Sequence, residues 1–324
     1  MFTPANQNFT KTFIISGILI ALIISSIMTF GFFNSAKLPI SQPTKLSIVA
    51  SFYPLEFLAK EIGGDLVTVT NVTPAGSEPH EYEPTQKQII DIQKADLLLT
   101  NGAGLESWTT KIAQNDPKPK NTLELTKTFE LSELEEDSQK IQDPHIWLSL
   151  KNYIKMANLV GQSISSQIQK NQPDQVNLQN IIQANTQTLI QKLQNLDTKY
   201  RNKLASTNCK INQFVSNHDA FGYLAKDYGL EPISISGLSP EAEPTTKELV
   251  NLSELIKKNN IKYILTETIA SPKLAQTLAQ EVDITTLEMN PLEGLSDQEL
   301  AESKNYITVM EQNLQNLTQA LECR

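Results

Sequence analysis

The sequence predicts an α/β protein of two lobes, each a parallel sheet flanked by helices, joined by one long rigid helix. Three observations carry this expectation. Short apolar runs alternate with helix-period runs in two separate stretches, 46–100 and 211–289, and strands that alternate with helices imply parallel sheets. Between them, 176–204 keeps one helical period with no glycine or proline to break it. The length of 324 residues exceeds one ordinary domain and suits two lobes plus extras.

The elements are expected in this order. Residues 46–50 form a first strand, broken at Tyr53-Pro54, and 55–62 form a helix stopped by Gly63-Gly64. A second strand covers 66–72. A loop, Gly76-Ser77-Glu78-Pro79-His80-Glu81-Tyr82-Glu83-Pro84, leads from it into a helix over 85–94. Residues 95–100 are a buried strand closed by Asn101-Gly102. The stretch 116–142 has no clear period and carries Glu133, Glu135, Glu136 and Asp137, so it is expected as an exposed loop with helical fragments. Asp143-Pro144-His145-Ile146-Trp147 opens a helix to about residue 170. In 176–204, Leu178, Ile182, Leu189, Leu193, Leu196 and Tyr200 share one face. A coiled-coil arm is the alternative, but the pattern is shorter than four heptads. The second lobe is expected to place strands at 211–216, 232–235, 263–266 and 284–289. Its helices are expected at 219–228, 245–258, 272–281 and 296–321. The implied organisation is an N-terminal segment 1–36, a linker 37–44 with Pro39 and Pro43, a first lobe 45–172, the connecting helix 173–205 and a second lobe 206–324.

The segment 13–33 is almost wholly apolar, with no charge from residue 12 to 36. Its 21 residues would reach about 31 Å as a helix, enough to cross a bilayer. An uncleaved anchor is favoured over a cleaved signal ending near Ala36; on either reading the remainder is exported to the outer face of the cytoplasmic membrane or the periplasm. No cysteine follows the run, which removes attachment as a lipoprotein. A net charge of −9 with no basic stripe argues against nucleic acid.

The chain has three histidines, His80, His145 and His218, and each falls in an expected loop. His80, His218 and Glu293 each follow an expected strand, where open α/β sheets place ligands. His145 and His218 are expected at helix N-termini, whose dipole disfavours imidazolium and keeps the rings free to ligate. Three imidazoles and one carboxylate make a tetrahedral N/O set that suits zinc, whereas manganese prefers more carboxylates. The two cysteines, Cys209 and Cys323, are too far apart in sequence for a zinc finger or a redox Cys-x-x-Cys. Export permits a disulfide between them, with two unrelated thiols as the alternative. The bond would stabilise the second lobe by roughly 4 kcal/mol.

Many motifs, in order, resemble the zinc-specific solute-binding proteins of bacterial ABC transporters. They are Ser51-Phe52-Tyr53-Pro54, Gly63-Gly64-Asp65, Pro79-His80-Glu81-Tyr82-Glu83-Pro84, Asn101-Gly102-Ala103-Gly104-Leu105-Glu106-Ser107-Trp108, Asp143-Pro144-His145-Ile146-Trp147-Leu148, His218-Asp219-Ala220-Phe221-Gly222-Tyr223, Glu243-Pro244-Thr245 and Asn290-Pro291-Leu292-Glu293-Gly294-Leu295. The resemblance implies a zinc ion as transported ligand between the lobes, held by His80, His145, His218 and Glu293, and delivery to a membrane permease by a monomeric protein. The manganese-binding relatives carry a carboxylate where His218 stands. Some members place Asp at position 290, so Asn290 or water competes with Glu293 for the fourth position. Glu267 also matches a family position and is expected to support the site without ligating. The acidic segment lacks the histidines that many zinc members carry there. A manganese-binding homologue, a zinc-dependent hydrolase using three ligands plus water, and an added role in cell adhesion are the other readings.

Overall fold

The computed structural model describes residues 44–115, 121–136 and 139–324. The expected membrane segment and all but the last residue of the expected linker lie outside these residues. Residues 44–324 form one compact unit.

The first sheet is built from β1 (Leu46–Ala50), β2 (Val67–Asn71), β3 (Leu97–Thr100) and β4 (Thr122–Glu124). Its order is β2-β1-β3-β4 and every pairing is parallel. The central strand β3, Leu-Leu-Leu-Thr, is buried at every position, as a strand covered on both faces must be. Helix α1 (Tyr53–Gly63) starts with Pro54 in its first turn and stops where Gly64 takes φ +52°. Helix α2 (Gln86–Lys94) starts at a reciprocal cap between Thr85 and Gln88. Helix α3 (Trp108–Asn115) follows β3. After β4 an antiparallel hairpin, β5 (Glu133–Glu136) with β6 (Gln139–Gln142), leads to α4 (Leu150–Asn171) and α5 (Val176–Lys203).

The second sheet contains β7 (Gln213–Ser216), β8 (Glu231–Ser234), β9 (Tyr263–Thr266) and β10 (Thr285–Glu288), again all parallel, in the order β10-β9-β7-β8. Its helices are α6 (Gly222–Tyr228), α7 (Thr246–Lys258), α8 (Lys273–Glu281), α9 (Asp297–Ala301) and α10 (Tyr306–Ala320). Numbered within its own half, each sheet runs second-first-third-fourth.

The expected long helix is present, and its contacts reach both halves. Leu178, Ile182, Leu189, Leu193, Leu196 and Tyr200 of α5 are all buried. Near its middle, Asn185 donates to the Ile62 carbonyl of α1 at 3.0 Å; towards its end, the Tyr200 hydroxyl donates to the Met310 carbonyl of α10 at 2.7 Å. A Cβ at Gly161 would stand 2.4 Å from Thr186 Oγ1, so glycine is what allows α4 and α5 to lie this close. Tyr306 of α10 stacks on Tyr153 of α4 at 3.8 Å and donates to the Trp147 carbonyl at 2.6 Å. One hydrophobic cluster therefore runs through both halves.

Three expectations are corrected. Residues 121–136 and 139–142 are not an exposed loop, because Thr122–Glu124 adds a parallel edge strand and the acidic stretch folds into the β5–β6 hairpin. The helix expected over 296–321 is two helices. Ser303 takes φ +57° and Asn305 then caps α10 by accepting from the amides of Ile307 and Thr308. The helix expected to open at Asp143 begins at Leu150, capped by Ser149, and is preceded by one 3₁₀ turn over Ile146–Leu148.

Candidate metal centre

Four side chains from four separated loops meet between the sheets: His80, His145, His218 and Glu293, with potential donor atoms all within 4.8 Å of one another. His80 and His145 come from the first half of the chain, His218 and Glu293 from the second. Glu293 Oε1 stands 3.3 Å from His80 Nε2, 3.3 Å from His145 Nε2 and 3.1 Å from His218 Nε2. The His145 and His218 Nε2 atoms are 3.4 Å apart. A tetrahedron with metal–donor bonds of about 2.0–2.1 Å has edges of about 3.3 Å, so these separations fit a small four-coordinate ion.

Each donor is held by identifiable neighbours. Asp143 Oδ1 lies 2.8 Å from His145 Nδ1 and also accepts the His145 amide at 2.9 Å. Glu267, just past β9, places Oε1 2.5 Å from His218 Nδ1. Both contacts leave the Nε2 atoms pointing inward, the arrangement that metal-binding histidines use to fix tautomer and ring angle. Glu78 accepts the His80 amide at 3.0 Å. The Glu293 loop is fixed by Asn290, which accepts the Leu292 amide at 2.6 Å and donates to Thr268 and Glu299, both at 2.9 Å. Asn313 brackets the same residue, accepting its amide and donating to its carbonyl. Leu292 is held at φ +59°, a conformation that this network imposes on a branched side chain. With its side chain spent on the loop, Asn290 lies outside the donor group. Across the halves, the Gly76 amide donates to the Leu295 carbonyl at 2.9 Å and Trp147 Nε1 to the Pro291 carbonyl at 2.8 Å.

The electrostatics differ from the helix-dipole expectation. His145 precedes a 3₁₀ turn and His218 stands four residues before α6, so neither ring sits on a long helix terminus. Burial pushes His145 down, but hydrogen bonds to Asp143 and Glu293 more than offset it and hold the ring above the ordinary histidine value. The same balance, with Glu267 and Glu293 as partners, holds His218 well above it. His80 is pushed down by burial, only partly opposed by Glu293. Burial works to raise Glu293, yet the three imidazoles keep it well below the usual carboxylate range. Burial and the nearby Glu293 push Glu78 up to about 8.

Sequence reasoning had singled out all four members of the cluster, and Glu267 as a supporting residue. It assigned no role to Glu78 or Asp143, although each stands two residues before a site histidine. Cys209 and Cys323 form a disulfide joining the approach to β7 to the end of α10.

A profile described as "Zinc-uptake complex component A periplasmic" matches residues 48–320. The chain belongs to this family. It is 38% identical over 290 residues to the zinc-binding lipoprotein AdcA of Streptococcus pneumoniae, covering 86% of this chain and 56% of that protein. The chain thus spans about half the length of that relative. The Zn(II)-bound ZnuA-like domain of AdcA superposes with a TM-score of 0.73 at 39% identity, covering 86% of this chain and 99% of that domain. The high-affinity zinc uptake system protein ZnuA of Bacillus subtilis is 36% identical over 293 residues, covering 87% of this chain and 89% of that protein. The laminin-binding protein Lmb of Streptococcus agalactiae, described as an adhesin with metal-transporting activity, superposes with a TM-score of 0.73 at 28% identity. That match covers 85% of this chain and 99% of Lmb.

Proposed function

We propose that this chain is an extracytoplasmic zinc-binding protein. It captures Zn(II) between its two lobes and delivers it to the membrane permease of an ABC transporter. His80, His145, His218 and Glu293 hold the ion, with lobes bounded near 45–172 and 206–324. The observation that carries this reading is that Glu293 Oε1 lies 3.1–3.3 Å from all three Nε2 atoms and the His145 and His218 Nε2 atoms lie 3.4 Å apart, separations that suit a tetrahedral zinc ion. Three imidazoles with one carboxylate favour zinc over manganese. Four protein donors complete a tetrahedral shell, whereas a zinc hydrolase keeps one position for water; carriage without chemistry follows. All four donors belong to one chain, so a monomer suffices. The family's description as periplasmic, the disulfide and the apolar run at 13–33 support an exported protein held at the membrane.

Calorimetric titration with zinc of the chain stripped of metal tests this. One ion per chain is expected. Glu293→Gln should weaken binding at neutral pH at least about tenfold, the range in which even outer partners of metal sites act. Asn290→Ala should act mainly on stability, because it leaves Thr268, Glu299 and the Leu292 amide short of partners. If Asn290→Ala weakens binding more than Glu293→Gln does, the ligand assignment is wrong; if the chain takes up no zinc, the function is.

A further inference from the structure

The geometry points to Glu78 as a transfer ligand: the carboxylate that zinc meets on its way into the four-donor cluster and again on its way out. The inference rests on reading that cluster as the zinc site.

Three observations converge on Glu78. The first is access. The side chains of His145 and His218 are 0% exposed and that of Glu293 4%, while His80 keeps 11% and Glu78 14%. Water therefore reaches the cluster on the side where His80 and Glu78 lie together. The second is the state of the carboxylate itself. One oxygen, Oε2, is committed to the His80 amide at 3.0 Å, which anchors the group. The other, Oε1, is buried and has no hydrogen-bond partner among the described residues. A buried carboxylate oxygen left without a donor is unusual and calls for an explanation in function. The third is aim. That free oxygen stands 4.0 Å from His80 Nε2, the same nitrogen that Glu293 Oε1 approaches at 3.3 Å from the inner side. His80 is thus flanked by two carboxylates, Glu293 among the buried donors and Glu78 beside the ring that keeps some exposure.

The chemistry follows from how zinc changes partners. An ion arriving with bound water must exchange each water for a protein donor, and zinc sites can expand to five ligands. A carboxylate next to the most accessible donor can take the ion first, pass it to His80 and Glu293, and then fall back. Its free oxygen stands 4.0 Å from the His80 nitrogen and Glu78 is not one of the four grouped donors, so it adds nothing to the closed state. Such a group lowers the barrier in both directions and leaves the affinity where it was.

Glu78→Gln isolates the effect, because the amide oxygen of glutamine can still accept the His80 N–H while the second oxygen is replaced by an NH2. Stopped-flow mixing of the chain with zinc, and of the zinc-loaded chain with a fluorescent chelator, gives the two rate constants; a competition titration gives Kd. The association and dissociation rate constants should fall together by about tenfold, which is about 1.4 kcal/mol on the barrier. Kd should stay within about twofold, well under the roughly 1.4 kcal/mol of a tenfold change. Glu81→Gln removes an exposed charge from the same loop and should leave both rates unchanged. Unchanged rates in Glu78→Gln would overturn the proposal. So would faster dissociation with weaker Kd, which marks an ordinary ligand, or slower association alone, which marks long-range attraction. Failure of the unaltered chain to bind zinc would instead overturn the zinc reading itself.

Discussion

The two sheets have the same strand order and opposite kinds of support. The first packs against α1, α4 and α5, where Leu55, Leu58, Met156, Val160, Ile164 and Ile182 belong to the large shared cluster. The second has a smaller core of its own, with Val215, Ile256, Ile264 and Leu278 under α7 and α8, and it carries the disulfide. Yet the weaker half supplies His218 and Glu293, both buried, and the stronger half supplies His80, the donor with most water contact. The size of the core behind a loop does not set how firmly a donor is held. The nearest hydrogen-bonded carboxylate does. His145 and His218, in different halves, are held alike through Nδ1, by Asp143 and Glu267.

The largest expected effect probes the donors directly. His218→Ala should weaken zinc binding on the order of 1,000-fold, about 4 kcal/mol, and His80→Ala by about 10- to 100-fold. Competition against a chelator of known affinity measures both, and equal losses would mean that burial does not rank the donors. Next comes the covalent support of the second half. Replacing Cys209 and Cys323 by serine should lower stability by about 4 kcal/mol in urea unfolding. Hydrogen exchange should place the loss in β7–β10; a loss spread evenly over both sheets would erase the asymmetry. Asp143→Asn and Glu267→Gln should each weaken zinc binding by about 10- to 100-fold with little change in Tm, since these partners orient a ligand instead of supplying one. If only one does so, the two halves hold their histidines by different means.

The smallest effect is a dependence on pH. In the metal-free chain His145 and His218 titrate above the ordinary value, through their carboxylate partners against the opposing effect of burial, and Glu78 is raised to about 8. Groups raised on folding stabilise fully below their unfolded values and lose that contribution as pH rises through the folded ones. His80, lowered by burial, acts in the opposite sense. Metal-free Tm should therefore fall as pH rises above about 6.5. Zinc must displace the same protons, so its affinity should rise over that window. Calorimetry across pH with and without zinc would show the two trends diverge; parallel curves would mean the site histidines are neutral before zinc arrives.

Most strands were legible because each is a short apolar run between turn residues, and all three histidines stood out in a histidine-poor sequence. What escaped was short or depended on partners distant in sequence. Thr122–Glu124 is a strand only because β3 lies beside it. Helices α9 and α10 read as one because the break at Ser303 is a backbone conformation, with only the Asn305 and Thr308 cap as a sequence signal. Glu78 and Asp143 looked like ordinary loop acids until the fold set Asp143 against the His145 ring and Glu78 against the His80 amide, with its other oxygen 4.0 Å from the His80 ring.

The disulfide also decides how this chain responds to being pulled. With residues separated by 114 positions tied together, a force applied to the two ends runs from Cys209 straight to Cys323 and bypasses β7–β10. Roughly 400 Å of extended chain stays locked out of reach while the bond is intact. Under tension between its ends, the half that carries His218 and Glu293 would be mechanically sheltered, and the half that carries His80 would open first.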